Sequence, residues 1–357
     1  YPPTERYMHF FECLGDGPHL VYVTAIDAVG NESDQSVLVF FVDTKGPEKP
    51  GMPTTTSPTK NKQPVWKWAH IANAAGDLKQ YNVYLDGSLK GSVTDSPWPD
   101  DITWGTPDEL THGRHVLEVT SVDDLGNESA KSTAGHVFID LEKPTKPIMN
   151  PMPEYSKEGP ITFSWSASSD DLAVEYKFQY KIGTADWSTV ETLVGQSRTV
   201  DAADDGTIVQ GRVWAVDKVG NTSLPDDEDV SKASTEKTTI DAAAPTPVEG
   251  KFSPTGMVRT GEARPTWTWE FTDAGSGLDY YIVTFGAEAS FTTTATSFRP
   301  TPKLDSGVYV LTVEAVDKVG NKAEHTFPDV TVDVTPPEVP GMPTTTSPTK
   351  NKQPVWK

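Results

Sequence analysis

The sequence predicts an all-β chain, a tandem array of immunoglobulin-like β-sandwich domains forming an extended rod. Three observations carry this expectation. A six-residue turn recurs four times, as Ile26-Asp27-Ala28-Val29-Gly30-Asn31, Val122-Asp123-Asp124-Leu125-Gly126-Asn127, Val216-Asp217-Lys218-Val219-Gly220-Asn221 and Val316-Asp317-Lys318-Val319-Gly320-Asn321. An Asp that closes a hydrophobic strand ahead of a Pro-rich segment also recurs, at Asp43, Asp140, Asp241 and Asp333. Both markers step by about a hundred residues, the size of an immunoglobulin-type sandwich and far longer than a helical solenoid repeat. Thirty prolines, 27 glycines and the absence of a convincing amphipathic helix agree with an all-β class.

The turn is explained by local chemistry. Its Asp opens a type I turn, because the carboxylate accepts bonds from the backbone N–H groups that follow. Its Gly takes the left-handed conformation that a bulged hairpin requires.

Taken in order, residues 1–46 read as the last half of a domain. They hold strands near 20–26 and 36–42, too few to bury a core alone. Residues 47–142 form a complete repeat, opened by the extended linker Gly46-Pro47-Glu48-Lys49-Pro50. Its strands are Gln63 to Trp68, Tyr81 to Leu85 with a turn at Asp86-Gly87, and His115 to Val122. Residues 143–244 repeat the plan with Phe163-Ser164-Trp165, Tyr176 to Tyr180 and Gly211 to Val216. Residues 245–336 repeat it with Trp267-Thr268-Trp269, Tyr280 to Val283 and Tyr309 to Val316. Residues 337–357 begin a further repeat. There Gly341 to Lys357 copies Gly51 to Lys67 letter for letter, 290 residues later, while the intervening repeats have diverged. A verbatim copy among diverged repeats marks recent duplication, so the chain reads as a window on a longer tandem array.

Composition narrows the function. Thirty Lys and Arg against 51 Asp and Glu give a net charge of −21, which repels phosphate backbones and excludes nucleic-acid binding. Such a surface suits an extracellular protein or one that binds cations, or it serves solubility alone. The single cysteine, Cys13, rules out an intrachain disulfide and a Cys-based zinc site and reads as a buried or half-buried thiol. No run of about 20 apolar residues is present to span a membrane. There is no Gly-x-Ser-x-Gly elbow, His-Glu-x-x-His or phosphate loop, and the seven His are scattered, so catalysis is not expected.

Alternation puts Trp66 and Trp68 on one face of their strand, and likewise Trp267 and Trp269, with core packing expected for one Trp of each pair. Trp98, Trp104 and Trp187 fall in loops or near strand ends, where an exposed ring can stack on a sugar.

In an immunoglobulin-like sandwich the N-terminus, the B–C loop and the F–G loop share one end. The recurring turn is the F–G loop. The B–C loop contains Asn73 and Asp77 in the first full repeat, Asp170 and Asp171 in the second, and Asp273 and Asp279 in the third. The linker Asp of the preceding domain enters at the same end. Three clusters are therefore expected at successive junctions: Asp43, Asp77, Asp123 and Asp124; Asp140, Asp170, Asp171 and Asp217; and Asp241, Asp273, Asp279 and Asp317. The E–F turns could add Asp16, Asp204, Asp205 or Asp305. Gathered carboxylates repel unless a cation intervenes. Calcium takes six to eight oxygens with tolerant geometry, magnesium wants a tighter octahedron, and zinc wants His or Cys, which no cluster offers. The alternative is that each Asp only caps its own turn.

The Val-Asp-x-x-Gly-Asn turn, the linker Val332-Asp333-Val334-Thr335-Pro336-Pro337, the Trp-x-Trp strand and Asp273-Ala274-Gly275-Ser276-Gly277 together resemble the bacterial Ig-like repeats of giant secreted adhesins. The resemblance covers essentially the whole chain. It implies calcium at or near domain junctions, carried by the linker Asp and the F–G Asp, stiffening a long array. The chain departs from the pattern at Asn73-Ala74-Ala75-Gly76-Asp77, where the Asp is displaced, and at Asp140-Leu141-Glu142-Lys143-Pro144, which lacks Thr-Pro-Pro. The role implied is a structural spacer in a very large bacterial cell-surface adhesin or extracellular filament. Its partners would be the neighbouring repeats, with lateral self-assembly open. The alternative is a set of accessory Ig-like modules on a secreted polysaccharide-active enzyme.

Overall fold

The computed structural model describes residues 13–71, 76–94, 97–201, 204–226, 229–255, 258–342 and 352–353. Apart from one 3-10 turn at Val230–Lys232, its regular structure is β, as strands and isolated bridges. Two compact units are present. One comprises residues 1–145 with 169–175 and 216–227; the other comprises 146–168, 176–215 and 228–357. No helix of the described residues is long and apolar enough to cross a membrane.

In the first unit, Gly17–Val23 and Ser36–Val42 form an antiparallel hairpin around the first Asp turn. Leu20, Tyr22, Leu38 and Phe41 of this hairpin stay exposed, as expected of a segment too short to enclose a core. The strands between Val65 and Ile139 make an immunoglobulin-like sandwich. One sheet pairs Val65–Ala69 with Asp101–Gly105; the other orders Ser88–Val93, Leu78–Leu85, Gly113–Asp123 and Gly135–Ile139. The Asp86-Gly87 turn has both residues at positive φ, +51° and +79°, which matches the right-handed twist of the flanking strands.

The core between these sheets is Trp66, Trp68, Tyr81, Val83, Leu85, Ile102, Leu117, Val119, Val137 and Ile139. Both tryptophans of the pair are buried, where one was expected. Each removes roughly 200 Å² from water, worth about 5 kcal/mol of transfer free energy at about 25 cal/mol per Å².

The second unit repeats the arrangement. A five-stranded sheet orders Glu191–Leu193, Val174–Ile182, Ile208–Asp217, Ser234–Asp241 and Tyr155–Lys157, and Ile161–Ser164 pairs with Ser197–Val200. Further on, a four-stranded sheet orders Phe291–Thr293, Leu278–Phe285, Leu311–Asp317 and Lys322–Thr326. Trp267, Trp269, Phe271, Tyr281, Val283, Phe285, Val313 and Phe327 form its core. Again both tryptophans are buried.

The cysteine departs from expectation. Cys13 is exposed, because it precedes the first strand of a hairpin that has no enclosed core.

Candidate metal centres

The four Asp turns are built alike. The Asp N–H donates to the Asn carbonyl four residues on, at 2.9, 3.2, 3.0 and 3.1 Å, and the Gly N–H donates back to the Asp carbonyl. Gly30, Gly126, Gly220 and Gly320 sit at φ between +89° and +93°, the left-handed region where a side chain would be strained. The Asp carboxylate locks the loop. Asp217 Oδ1, for example, accepts the N–H groups of Val219, Gly220 and Asn221 at 2.7 to 2.9 Å.

The Asn that ends the turn has a role that the Asp and Gly chemistry alone does not reveal. Its Nδ2 donates to Oδ2 of its own turn Asp, at 2.9 Å for Asn127, 2.7 Å for Asn221 and 2.8 Å for Asn321. The same nitrogen donates to the backbone carbonyl of the preceding linker Asp: Asn127 to Asp43 at 3.2 Å, Asn221 to Asp140 at 3.2 Å and Asn321 to Asp241 at 2.9 Å. A single amide thus ties the F–G turn to the linker at all three junctions. Asp cannot replace it, because Asp has no donors. The signal was in the motif, since Asn ends every copy of the turn.

The B–C loop closes on the same point. Asp77 O accepts the Asp124 N–H at 2.9 Å, and Gly277 O accepts the Lys318 N–H at 3.0 Å. Three triads result: Asp43, Asp77 and Asp123; Asp140, Asp170 and Asp217; and Asp241, Asp273 and Asp317. Within each triad the three carboxylate oxygens lie within 4.8 Å of one another.

The donor environments differ between triads. In the first, Asp43 and Asp77 are half-buried and Asp123 is buried. Asp43 Oδ1 accepts the Lys45 N–H. In the second, Asp140 is fully buried; its Oδ1 accepts the Glu142 N–H, while its buried Oδ2 has no partner. In the third, Asp241 Oδ2 accepts the Ser276 N–H at 2.6 Å, and Asp273 Oδ2 accepts the N–H groups of Gly275 and Gly277. Asp241 Oδ1 and Asp273 Oδ1 are buried and unpartnered. Gly275 is required here: a methyl in its place would lie 2.4 Å from Asp241 Cγ.

The electrostatics follow from this packing. Two carboxylates 4.8 Å apart repel by about 3.5 kcal/mol at an effective dielectric of about 20. Burial pushes the Asp140 carboxyl up from its ordinary value, and the charges of Asp170 and Asp217 push it the same way. Burial also raises Asp123, but the bonds from the Asn127 side chain and from the backbone of Asn127, Gly126 and Leu125 outweigh it and hold that carboxyl low. All the donors in the triads are oxygen, several are dehydrated, and three charges converge. That set fits a hard divalent cation such as calcium, and it lacks the nitrogen or sulfur that zinc prefers.

Nine of the twelve sequence-predicted ligands therefore come together. Asp124, Asp171 and Asp279 stand outside the triads and are exposed. Asp124 and Asp171 each directly follow a triad member, in the F–G turn and in a B–C bend, and Asp279 lies in the strand Leu278–Phe285, where alternation turns it away from the half-buried Leu278. Asn73 lies outside the described residues. The E–F acids do a different job. Asp16 Oδ1 accepts the Thr44 N–H at 3.0 Å, and Asp205 Oδ1 accepts the Ala242 N–H at 2.8 Å, each just after a linker Asp. Ser306 Oγ does the same for Val334.

In the repeat of 47–142 that position is His112, whose Nδ1 accepts the Leu141 N–H at 3.2 Å. This histidine stands beside the second triad, although the triad itself is all carboxylate. Its Nε2 lies 3.3 Å from Asp171 and 3.9 Å from Glu142. Its Nδ1 also lies 3.5 Å from Asp140 Oδ1, and His112, Glu142 and Asp171 form a separate, more exposed group whose donor atoms lie within 4.8 Å of one another.

The loop tryptophans all have protein partners. Trp98 stacks on His70, Trp104 pairs opposite Trp66, and Trp187 lies under Arg212 at 4.1 Å.

No family model matches the sequence, and no curated protein matches it. Among solved structures, the chain is similar to a 1.5-MDa bacterial ice-binding adhesin whose structure concerns host cell surface retention. The identity is 14%, over 81% of this chain and 98% of that one, with a TM-score of 0.39. It is also similar to a Ca²⁺-stabilized adhesin of an Antarctic bacterium that binds ice, at 17% identity over 88% and 81% of the two chains, with a TM-score of 0.34. A third is the FN1–FN3 domains of chicken CNTN1, at 12% identity over 81% and 99%, with a TM-score of 0.35.

Proposed function

We propose that this chain is a spacer from the extension region of a very large bacterial cell-surface adhesin or extracellular filament, and that calcium at its domain junctions stiffens it into a rod. The observation that supports this most strongly is the linker Asp. In the second and third triads it is buried against two further Asp, with a carboxylate oxygen that no protein group satisfies. Such an atom costs about 1–3 kcal/mol or more when left unpaired, and a cation removes that cost. What is said of the Antarctic adhesin, stabilisation by Ca²⁺, is thus proposed here from this chain's own residues.

Each triad takes one Asp from the strand that leaves one repeat and two from the loops of the next. A cation held by all three restricts the joint and stabilises it by mass action. Extracellular modules of this kind bind calcium with dissociation constants of about 10⁻⁴–10⁻³ M. The proposal includes an extracellular location, neighbouring repeats as partners, and no catalytic role. The accessory-module alternative gains nothing from the loop tryptophans, whose rings are engaged within the protein.

Small-angle scattering and thermal melting, in calcium and then in excess chelator, test the reading. The expected result is a shorter, broader distance distribution and a lower melting temperature in chelator. An unchanged maximum dimension together with an unchanged melting temperature refutes it.

A further inference from the structure

We propose that the three junctions fill with cation in a fixed order, the third first, the second next and the first last, an inference that rests on the calcium reading above. The triads are alike in composition but not in the state of their oxygens. The third has two buried carboxylate oxygens with no donor, Asp241 Oδ1 and Asp273 Oδ1. Its loop is also fixed. The N–H groups of Gly275, Ser276 and Gly277 hold the opposite oxygens of the same two carboxylates. Ser276, whose N–H donates to Asp241, has its own Oγ buried without a partner. The second triad has one orphaned carboxylate oxygen, Asp140 Oδ2. The first has none among the described residues, and two of its three carboxylates are partly exposed.

An oxygen already stripped of water and held in place gives a cation more than one that must first lose its hydration and then be positioned. Ligand rigidity is one of the two properties that tune calcium affinity; charge count is the other.

Charge count favours the opposite order. The first F–G turn carries Asp124, where the second and third carry Lys218 and Lys318. Asp124, Lys218 and Lys318 are exposed, so their charges act through high-dielectric water, where even a pair about 4 Å apart is worth only about 1 kcal/mol. The buried, unpartnered oxygens act at contact distance in a low-dielectric site. Rigidity therefore sets the order.

The test is a calcium titration of the whole chain by calorimetry, alongside terbium luminescence sensitised by tryptophan. Wild type is compared with Asp241→Asn, Asp140→Asn and Asp43→Asn. The expected wild-type isotherm is stepped, with the tightest step roughly tenfold or more below the weakest in dissociation constant. Asp241→Asn removes the tightest step, Asp140→Asn the middle one and Asp43→Asn the weakest. Asp273→Asn is a second variant at the third site and also removes the tightest step, so a folding defect in Asp241→Asn does not leave the order undecided. Three equal affinities, or loss of the tightest step in Asp43→Asn, overturn the order and leave the calcium reading standing. No uptake by any junction overturns both.

Discussion

Replacing Gly275 with Ala tests whether the loop around Asp241 is a built cradle. The new methyl would lie 2.4 Å from Asp241 Cγ and 2.5 Å from each carboxylate oxygen. An ordinary contact is about 3.4 Å or more, so loop or carboxylate must yield by about 1 Å, and interiors at crystal-like density do not absorb that freely. Gly275 does not sit at positive φ, so the backbone itself accepts Ala. Gly→Ala at a compatible position stabilises by about 0.4–1 kcal/mol through the unfolded chain. Overpacking costs about 1–3 kcal/mol, so the net expectation is a loss of about 1–2 kcal/mol. Calcium affinity at the third junction falls with it, because Asp241 is the side chain displaced. Scanning calorimetry reads the first effect and a calcium titration the second. Gly195→Ala, where a methyl meets nothing within 4 Å, is the control and is expected to be neutral or slightly stabilising. A Gly275→Ala protein as stable as the control, with unchanged calcium uptake, refutes the cradle.

Three further expectations follow from the same geometry. Asn321→Ala removes the side-chain donor to Asp317 Oδ2 and to the carbonyls of Asp241 and Ala243, and should cost about 1–3 kcal/mol in urea unfolding, with Asn321→Asp no better. Trp267→Ala opens the core of its sandwich and should cost about 3–5 kcal/mol by the same assay, against less than about 0.5 kcal/mol for an exposed change such as Val339→Ala. The pH dependence in chelator has opposite signs at two sites. Asp140 has a raised carboxyl, so its contribution is fully present below the unfolded carboxylate pKa and is lost as pH rises through the folded value. Asp123 has a lowered one, so its contribution is present above the unfolded value and is lost as pH falls through the folded value. Melting curves between neutrality and about pH 3 should show Asp140→Asn stabilised and Asp123→Asn destabilised at neutral pH, both differences shrinking with acid.

Much of this was legible in the sequence because the turn is determined locally. Asp and Gly fix the hairpin, its spacing fixes the period, and sandwich topology then brings linker, B–C loop and F–G turn to one end. Asp140, Asp170 and Asp217 meet for these reasons. What was not legible depends on side-chain direction and on the neighbouring repeat. Asp124 and Asp171 are one residue from triad members and point elsewhere. Asn221 works through a carbonyl 81 residues away in sequence. His112 occupies a position held by Asp16 and Asp205 in other repeats, and only the bond to the residue after the linker Asp makes the three equivalent. Both tryptophans of each pair are buried, which alternation alone allowed but did not require.

Because every triad straddles a repeat boundary, no single repeat carries one. The heritable unit of the site is the seam, and a run of repeats has one seam fewer than it has repeats. The identical stretches beginning at Gly51 and Gly341 mark a duplication by whole repeats, and such a duplication would join a linker Asp to another pair of loop Asp. Length can therefore change in evolution without any seam being redesigned.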